Sequence, residues 1–401
     1  MILDEISNAD NWKAFLQYKI DLQHLSKSDE KVYRNFINEK HFLKLSNAWL
    51  NGDFLSDFPE KHIINKISTN KKRVVYSYNS EENIMLKFIA WSLYRYDNYF
   101  AHNCYAFRRN YGVKNAINRL KYTKEIDKMF CLKIDIHNYF NSIDVNILLD
   151  KLYFIKEDDA ALYNLFIKML SNDSVIYNGR IIHEKHGVMA GTPTSPFLAN
   201  VYLSDLDKYF EDNEILYFRY SDDILIFAKT LDELTKYKCI IYDYINKMHL
   251  EINPDKAAIY NPGETIEFLG FSYHNGKIDI SDSTILKTKG KIKRKANSLR
   301  RWARKKNLPK KKAAIGFINT MNYKFYGGDD KDIYDEFTWS KWFFPNITTD
   351  NGLKIIDKYM QEYIRYICTG RHYKGNYKIT YEDIKSMGYR SLVNEYYKPK
   401  K

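Results

Sequence analysis

The chain has 401 residues, of which 45% are hydrophobic and 16% aromatic, and it carries a net charge of +13. This composition excludes a disordered or fibrous protein and supports a sizeable core spread over two or three domains or sub-domains. No run of about 18 apolar residues occurs, and the first residues lack the basic-then-apolar pattern of a secretory signal, so we expect a cytoplasmic protein that makes no membrane contact. The four cysteines are far apart, which favours reduced core thiols over a zinc site.

Apolar periodicity predicts helices in the first part of the chain and a buried strand after them. Residues 1–60 are predicted to form short helices. A basic loop, a short strand over residues 74–76 and a strongly apolar helix over residues 83–99 follow. Residues 131–136 are typical of a buried strand that carries an acid near its end, and residues 144–153 are predicted to be helical.

Turn and cap residues organise the next part of the chain. Residues 187–196 form a turn-rich loop that leads into a helix predicted over residues 197–210. Two apolar runs over residues 216–227 flank a Ser-Asp-Asp sequence, which predicts a β-hairpin with acids at its turn. Thr230 and Glu233 form a capping-box pattern, which starts the next helix.

The last third begins with a hairpin, predicted over residues 267–280 around Asn-Gly, and then becomes helical and basic. Between residues 287 and 312, fourteen of 26 residues are Lys or Arg and none is acidic, which leaves 49 basic against 50 acidic residues elsewhere. Ile292, Leu299, Trp302 and Ala303 interrupt this basic run at roughly helical spacing. We therefore expect a helix with one anchored face and one face suited to a phosphate backbone, with a solvated linker as the alternative.

Three carboxylates follow apolar strands: Asp135, and the adjacent Asp222 and Asp223. Unpaired carboxylates beside a buried sheet are costly, and adjacent ones repel each other. An Asp-Asp pair can be turn chemistry alone, but a third acid at the end of a second strand favours a divalent cation. Magnesium binds one or two protein carboxylates and takes its other ligands from phosphate and water. Two such ions about 4 Å apart can activate a hydroxyl and stabilise a departing pyrophosphate.

Six segments, in the correct order and spacing, resemble motifs of reverse transcriptases. Residues 133–143 resemble motif A, residues 187–200 resemble motif B, and residues 218–223 resemble the YxDD box of motif C. Residues 250–256 resemble motif D, and residues 268–271 resemble the primer-grip motif E. Residues 105–109 resemble the YGFR segment of bacterial group II intron and retron enzymes. The chain is thus similar to prokaryotic reverse transcriptases, including the defence-associated and abortive-infection groups.

The resemblance implies an α+β right-hand polymerase with fingers, a palm of antiparallel sheet and helices, and a helical thumb. We expect a helical N-terminal extension over residues 1–60, fingers and palm over residues 61–283, and a basic thumb or C-terminal domain over residues 284–401. The cofactor would be two Mg²⁺ ions, with Mn²⁺ as a substitute. Their ligands, and the catalytic residues, would be Asp135, Asp222 and Asp223, with Ile136 beside them in the metal site.

The resemblance also implies contacts with nucleotide and nucleic acid. Lys72 and Arg73, or Lys71, would grip the triphosphate, with Ala190 and Gly191 near the nucleotide. Phe140 falls at the steric gate against the 2′ hydroxyl, or is an ordinary core aromatic. Lys256 would be a general acid for pyrophosphate, or a surface lysine. The expected nucleic-acid contacts are Arg108, Arg109, Phe268, Leu269, Gly270, Lys293, Arg294, Arg300 and Arg301.

One departure from the family pattern is Met189-Ala190 before Gly191, where intron-type enzymes carry Pro-Gln. The absent glutamine puts nucleotide handling in doubt, but not the metal chemistry. We expect an RNA-directed DNA polymerase that copies an RNA, such as a cognate non-coding RNA, into DNA from dNTPs, in antiphage defence. An RNA-binding maturase or scaffold with weak or untemplated polymerase activity is the alternative. A homo-oligomer or a partner protein stays open.

Overall fold

A computed structural model describes residues 1–23, 25–55, 57–65, 72–327, 338–372 and 374–398. The chain divides into two compact units. The first unit comprises Met1–Arg119 and Thr123–Glu264, and the second comprises Leu120–Tyr122 and Thr265–Lys401. Within the described ranges, no helix is both long and apolar enough to cross a lipid bilayer.

The first unit mixes helices with two four-stranded sheets, and the last turn of its helix α6 (Val113–Tyr122) is counted with the second unit. Its α-helices are α1 (Ile2–Glu5), α2 (Ala9–Gln23), α3 (Lys27–Asn38), α4 (His41–Leu50), α5 (Ser80–Ser92), α6 (Val113–Tyr122), α7 (Tyr139–Ser142), α8 (Val145–Lys151), α9 (Tyr153–Asp158), α10 (Ala160–Ser171), α11 (Ser195–Tyr202), α12 (Ser204–Asp212) and α13 (Leu231–Lys247). Its strands are β1 (Glu60–Asn65), β2 (Lys72–Ser77), β3 (Phe130–Asp135), β4 (Ser174–Tyr177), β5 (Arg180–His183), β6 (Tyr217–Tyr220), β7 (Asp223–Ala228) and β8 (Ala258–Tyr260). Short 3₁₀ helices lie at Leu93–Tyr99, Ile126–Lys128 and Pro254–Lys256.

The N-terminal helices pack into the same core as the rest of the first unit. Trp12 of α2 is fully buried, and its ring centroid lies 4.4 Å from that of Phe88 in α5. Its indole nitrogen donates a hydrogen bond to the Ile6 carbonyl. Because burying an aromatic side chain removes a large apolar area from water, this contact ties α2 firmly to α5.

The sheet that positions the predicted acids has the strand order β6-β7-β3-β8 and is antiparallel throughout. Strand β3 lies between β7 and β8, and the side chains of Cys131, Leu132 and Ile134 are buried. Every residue of β7 after Asp223 is buried, so both faces of this strand are covered, which explains its continuous apolar sequence. The other sheet of this unit has the order β2-β1-β4-β5.

The second unit begins with an antiparallel sheet of order β11-β10-β9, formed by β9 (Ile266–Phe268), β10 (Phe271–His274) and β11 (Lys277–Ile280). Its helices are α14 (Asp282–Lys305), α15 (Lys310–Tyr326), α16 (Trp339–Phe343), α17 (Asn351–Thr369), α18 (Tyr381–Ser386) and α19 (Leu392–Tyr396), with a 3₁₀ helix at Lys374–Lys378. Helix α14 packs against α15 and α17.

The mixed α+β class predicted from the sequence is confirmed, as are the strand that ends in Asp135 and both hairpins. The Thr230–Glu233 capping box is present as well, at the start of α13. The helix predicted over residues 197–210 is wrong in one respect, because it is divided at Leu203 into α11 and α12. The Ser204 hydroxyl donates to the Val201 carbonyl there and so competes with the helical backbone bonds.

Two further sequence predictions need correction. Residues 287–305 are helical, and Ile292 and Ala303 lie on the buried face as predicted, but Trp302 is 45% exposed. One residue along a helix turns the side chain by about 100°, so Trp302 cannot share the face of Ala303. All four cysteines are free, yet only Cys104 and Cys131 are buried, so the expectation of core thiols fails for Cys239, which is exposed.

The boundary between the two units, after Glu264, precedes the predicted boundary at residue 283. The division into an N-terminal extension, fingers and palm, and a thumb stays a prediction.

Candidate active site

Three aspartates meet at one end of the β3–β7 pair. Asp135 is the last residue of β3 and lies directly opposite Asp223, the first residue of β7. Asp222 precedes Asp223 in the turn, and the Asp222 carbonyl accepts a hydrogen bond from the Ile136 amide at 3.1 Å. The register of the two strands therefore gathers acids that are far apart in the sequence.

The carboxyl groups perturb each other. Burial, followed by the nearby charge of Asp135, raises the pKa of Asp222. Burial and the adjacent Asp222 raise the pKa of Asp223 to about 6 from its ordinary value of 3.8. Both shifts disfavour the charged form, which is the signature of carboxylates that lack a sufficient counter-charge.

The turn that carries these acids has unusual backbone geometry. Ser221, the first of the two residues between β6 and β7, has a φ of 61°. A left-handed conformation is uncommon for a residue other than glycine, and such residues concentrate at functional sites.

Lys256 lies against the acid cluster. Its Nζ atom donates to Oδ2 of Asp135 at 2.5 Å, although 55% of the lysine side chain is exposed. Burial acts to lower the pKa of Lys256, but the hydrogen bond and charge of Asp135 outweigh it, and the net shift is upward. Asn253 holds the same aspartate through two bonds, from its backbone amide and its side-chain amide. The motif D lysine therefore lies at the acids, although more than half of its side chain is exposed at the surface.

The chemistry of the donors fits a divalent cation, because Asp135 and Asp223 are register neighbours, and burial together with the like charge of a neighbouring aspartate raises the pKa of both Asp222 and Asp223. Asp135 is nevertheless paired with Lys256. In the part of the chain that the structure describes, no group of three or more His, Cys, Asp or Glu side chains is arranged to hold a metal ion.

Motif B is tied to motif A and to β2 through Asn141. The side chain of Asn141 accepts from the Ala190 amide at 2.9 Å and donates to the Val74 carbonyl at 3.2 Å. The Tyr76 amide in turn donates to the Ala190 carbonyl. Gly191 has a φ of 107°, and a Cβ atom there would lie 2.9 Å from the Tyr76 carbonyl oxygen, so no other residue fits without a shift.

Phe140 lies near this junction, in α7, and is half-buried. Its ring is edge-on to that of Phe107, with centroids 6.0 Å apart and planes at 82°. Its carbonyl accepts from the Val188 amide of motif B. A Cβ atom on Gly187 would lie 2.8 Å from the carbonyl carbon of Asn141, so the glycine permits the close approach of motif B to motif A.

The predicted basic contacts have different environments. Lys72 and Arg73 are exposed at the start of β2, the strand that contacts Ala190, while Lys71 lies outside the described residues. Arg109 is exposed, with its guanidinium over the ring of Tyr18. Arg108 is buried, and its guanidinium donates to the Asp97 carboxylate and to the carbonyls of Asp97, Ala101 and Cys104. This packing disfavours the contact with nucleic acid that we predicted for Arg108.

The remaining predicted contacts belong to the second unit. Leu269 and Gly270 form the two-residue turn between β9 and β10, with φ values of 52° and 88°, and Phe268 is buried. Lys293, Arg294 and Arg301 are exposed on α14, whereas the guanidinium of Arg300 stacks 4.2 Å from the Tyr366 ring centroid.

Sequence reasoning missed two residues that support the site. Asn141 lies within motif A, but the family resemblance assigns it no role. Arg219 is fully buried with Asp207, to which its Nε atom donates at 2.7 Å, and its Nη1 atom also donates to the Ser221 carbonyl. An arginine in an otherwise apolar strand was a usable sign, since a buried charge requires a partner.

The chain is similar to known proteins. The family model described as "Reverse transcriptase (RNA-dependent DNA polymerase)" matches residues 64–273. The Retron Ec86 reverse transcriptase of Escherichia coli is 25% identical over 174 residues, covering 42% of this chain and 50% of the relative. The Retron Ec83 reverse transcriptase of Escherichia coli is 28% identical over 127 residues, covering 30% of this chain and 38% of the relative.

A COX1/OXI3 intron 2 protein of Saccharomyces cerevisiae is 26% identical over 200 residues, which are 50% of this chain and 23% of that protein. The chain thus spans half or less of the length of these curated relatives. Among solved structures, apo telomerase from Candida tropicalis is similar with a TM-score of 0.48 and 11% identity, covering 87% of this chain and 64% of that one.

Proposed function

Because this chain belongs to the reverse-transcriptase family, we propose that it is an RNA-directed DNA polymerase that extends a primer with dNTPs along an RNA template. The observation that carries the proposal is the meeting of Asp135, Asp222 and Asp223 at one end of the β3–β7 pair, where two of the three have raised pKa values. The retron relatives, named as reverse transcriptases, support the same activity.

The three aspartates, with Ile136 beside them, would hold two divalent cations, which we propose are Mg²⁺, with Mn²⁺ as a substitute. When bound, such ions activate the attacking 3′ hydroxyl and stabilise the charge on the departing pyrophosphate. Lys256 carries a proton on Nζ within reach of Asp135, and the net upward shift of its pKa keeps it charged at neutral pH. It would therefore have a proton to give to the departing pyrophosphate, although the raised pKa makes it a weaker acid while it contacts Asp135.

The other nucleotide contacts follow from the neighbouring elements. Phe140 would exclude a ribose 2′ hydroxyl, and Ala190 and Gly191 would border the nucleotide. Lys72 and Arg73, on the strand bonded to Ala190, would grip the triphosphate. In the second unit, the exposed basic residues of α14 would bind the template–primer backbone.

The direct experiment is primer extension on several RNA templates of different sequence, with four dNTPs and Mg²⁺, followed by sequencing of the product. We expect DNA complementary to each template. Sequencing the RNA that copurifies with the protein would identify its natural template. The same product on every template would contradict templated synthesis.

A second candidate is an RNA-binding scaffold with weak or untemplated polymerase activity. The observation that favours it is the salt bridge of Lys256 with Asp135, which occupies an oxygen that a cation would need. Such a protein would retain tight RNA binding but would incorporate dNTPs slowly, or without regard to the template, in the same assay.

We further propose that the polymerase acts in antiphage defence, in keeping with the divergent Met189-Ala190 in motif B. Phage plating on cells that carry the wild-type chain or its Asp222→Asn variant is the test. We expect protection from the wild type alone, and equal plating on both strains would contradict the proposal.

A further inference from the structure

Phe107 has a backbone conformation that is rarely adopted by its residue type. Its φ is 58°, in the left-handed region, where a bulky side chain crowds the backbone. Such strain persists only where the surrounding structure enforces it, and it concentrates at functional sites. Phe107 is part of the segment that resembles the YGFR motif, and nothing in the proposed function uses it.

The residues on both sides of Phe107 are anchored. The Ala106 carbonyl accepts from the buried side-chain amide of Asn200 at 2.7 Å. On the other side, Arg108 is held by the Ala101 carbonyl at 2.6 Å and the Asp97 carboxylate at 2.9 Å. The Asn200 bond fixes the peptide group before Phe107, and the bonds of the guanidinium fix the side chain of the residue after it, so the segment on both sides of Phe107 has little freedom to relax. The buried Arg108 thus anchors the chain next to Phe107 rather than contacting nucleic acid.

The anchored backbone directs the Phe107 ring at the predicted gate. Its centroid lies 6.0 Å from Phe140, edge-on, and 6.3 Å from Tyr220, the residue before the Ser221–Asp222 turn. Edge-to-face rings at this separation attract each other. Phe107 is 42% exposed, so burial in the core does not account for its position.

The ring of Phe107 also has room to turn elsewhere. It borders a cavity of about 140 Å³ that is otherwise lined by residues such as Leu93, Phe100 and Phe197. Phe140 is not among the lining residues, so a ring that turned into the cavity would leave the gate.

We propose that Phe107 is a positioning residue for sugar discrimination: it holds the ring of Phe140 in the orientation that excludes a 2′ hydroxyl. This inference rests on the proposed function, because it presupposes that Phe140 faces the sugar of an incoming deoxyribonucleotide. Phe107 acts through Phe140, so the effects of the two residues are not independent.

The test is a double-mutant cycle on the ratio of dNTP to rNTP incorporation efficiency. Phe107→Ala should lower this ratio by about 2- to 10-fold, the range that corresponds to the coupling of one aromatic pair. Phe140→Ala should lower it further, and the double variant should match Phe140→Ala alone. Tyr209→Ala is the matched control, since Tyr209 is an aromatic residue in the same unit with the same 42% exposure, and it should leave the ratio unchanged.

Two other substitutions at position 107 separate the ring from the backbone. Phe107→Gly relieves the strain of a positive φ and should melt at a higher temperature than Phe107→Ala, but both should show the same lowered ratio. Phe107→Tyr keeps the ring and should keep the ratio of dNTP to rNTP incorporation at its wild-type value. A merely structural role would instead make the ratio follow the melting temperature.

The outcomes separate the inference from the function beneath it. If Phe140→Ala lowers the ratio and Phe107→Ala does not, or if their effects multiply, the inference is overturned and the polymerase proposal stands. If the wild type neither incorporates nor binds nucleotides in a direct titration, the proposed function fails and the inference fails with it.

Discussion

Replacing Asp223 by asparagine should stabilise the metal-free protein at neutral and alkaline pH. Asp223 is half-buried, next to Asp222, and has a pKa of about 6 against an ordinary 3.8. This difference corresponds to a destabilisation of about 3 kcal/mol once the group is fully ionised. We expect about 1–3 kcal/mol, because solvent around the half-buried group screens part of the charge interaction.

The pH dependence has a definite sign. Since the pKa of Asp223 is higher in the folded protein than in the unfolded chain, the folded protein binds more protons between about pH 4 and pH 6. The stability associated with this group is therefore fully present below pH 4 and is lost as pH rises through 6. An asparagine side chain at this position cannot ionise, so the variant should differ little from wild type at pH 4 and be more stable at pH 8.

The assay is chemical unfolding of wild type and Asp223→Asn in EDTA, at pH 4 and at pH 8. Asp243→Asn, at an exposed position on α13, is the control and should show no such difference. Added Mg²⁺ should stabilise the wild type more than the variant, because a bound cation supplies the missing counter-charge. A variant that is less stable than wild type at pH 8 without metal would refute this reasoning.

Three other predictions concern the gate, the basic helix and the lysine. Phe140→Ala should relax discrimination against ribonucleotides, measured as the ratio of dNTP to rNTP incorporation, and an unchanged ratio would make Phe140 an ordinary packing residue. Charge reversal on α14 at Lys293, Arg294, Arg300 and Arg301 should weaken template–primer binding at all sequences. It should also reduce the slope of log affinity against log salt concentration by about 0.7–0.9 for each lost phosphate contact, and an identical slope would make the segment a tether. Lys256→Met should destabilise the metal-free protein by about 1 kcal/mol, because Asp135 is 4% exposed and loses a cation, and Mg²⁺ should reverse the loss in thermal melts.

Local sequence patterns were enough to predict the strands that carry the acids. The apolar run before Asp135 and the two runs around Asp222 are largely buried strands, so their composition reports their burial directly. The capping box at Thr230 is equally local, since both of its bonds lie within four residues. The meeting of the acids was expected from the family resemblance, and the β3–β7 register explains it physically.

Features that depend on tertiary contacts were not predictable in the same way. The burial of Arg108 depends on Asp97 and on carbonyls that only the fold brings together. The role of Asn141 depends on Val74 and Ala190, which are distant in sequence. The contact of Lys256 with Asp135 joins residues 121 positions apart, and no periodicity encodes such a pair.

The measurement that tests the central claim most directly is single-nucleotide incorporation by Asp222→Asn on an RNA template with a DNA primer in Mg²⁺. Asparagine keeps the shape of aspartate and removes its charge, so we expect incorporation to be abolished while the thermal melt shows a folded protein. Asp135→Asn should behave alike, and the double variant should be scarcely worse, because residues that act as a unit are not additive. If Asp222→Asn retained more than a small fraction of the Mg²⁺-dependent incorporation, the assignment of these aspartates as the catalytic metal ligands would be contradicted.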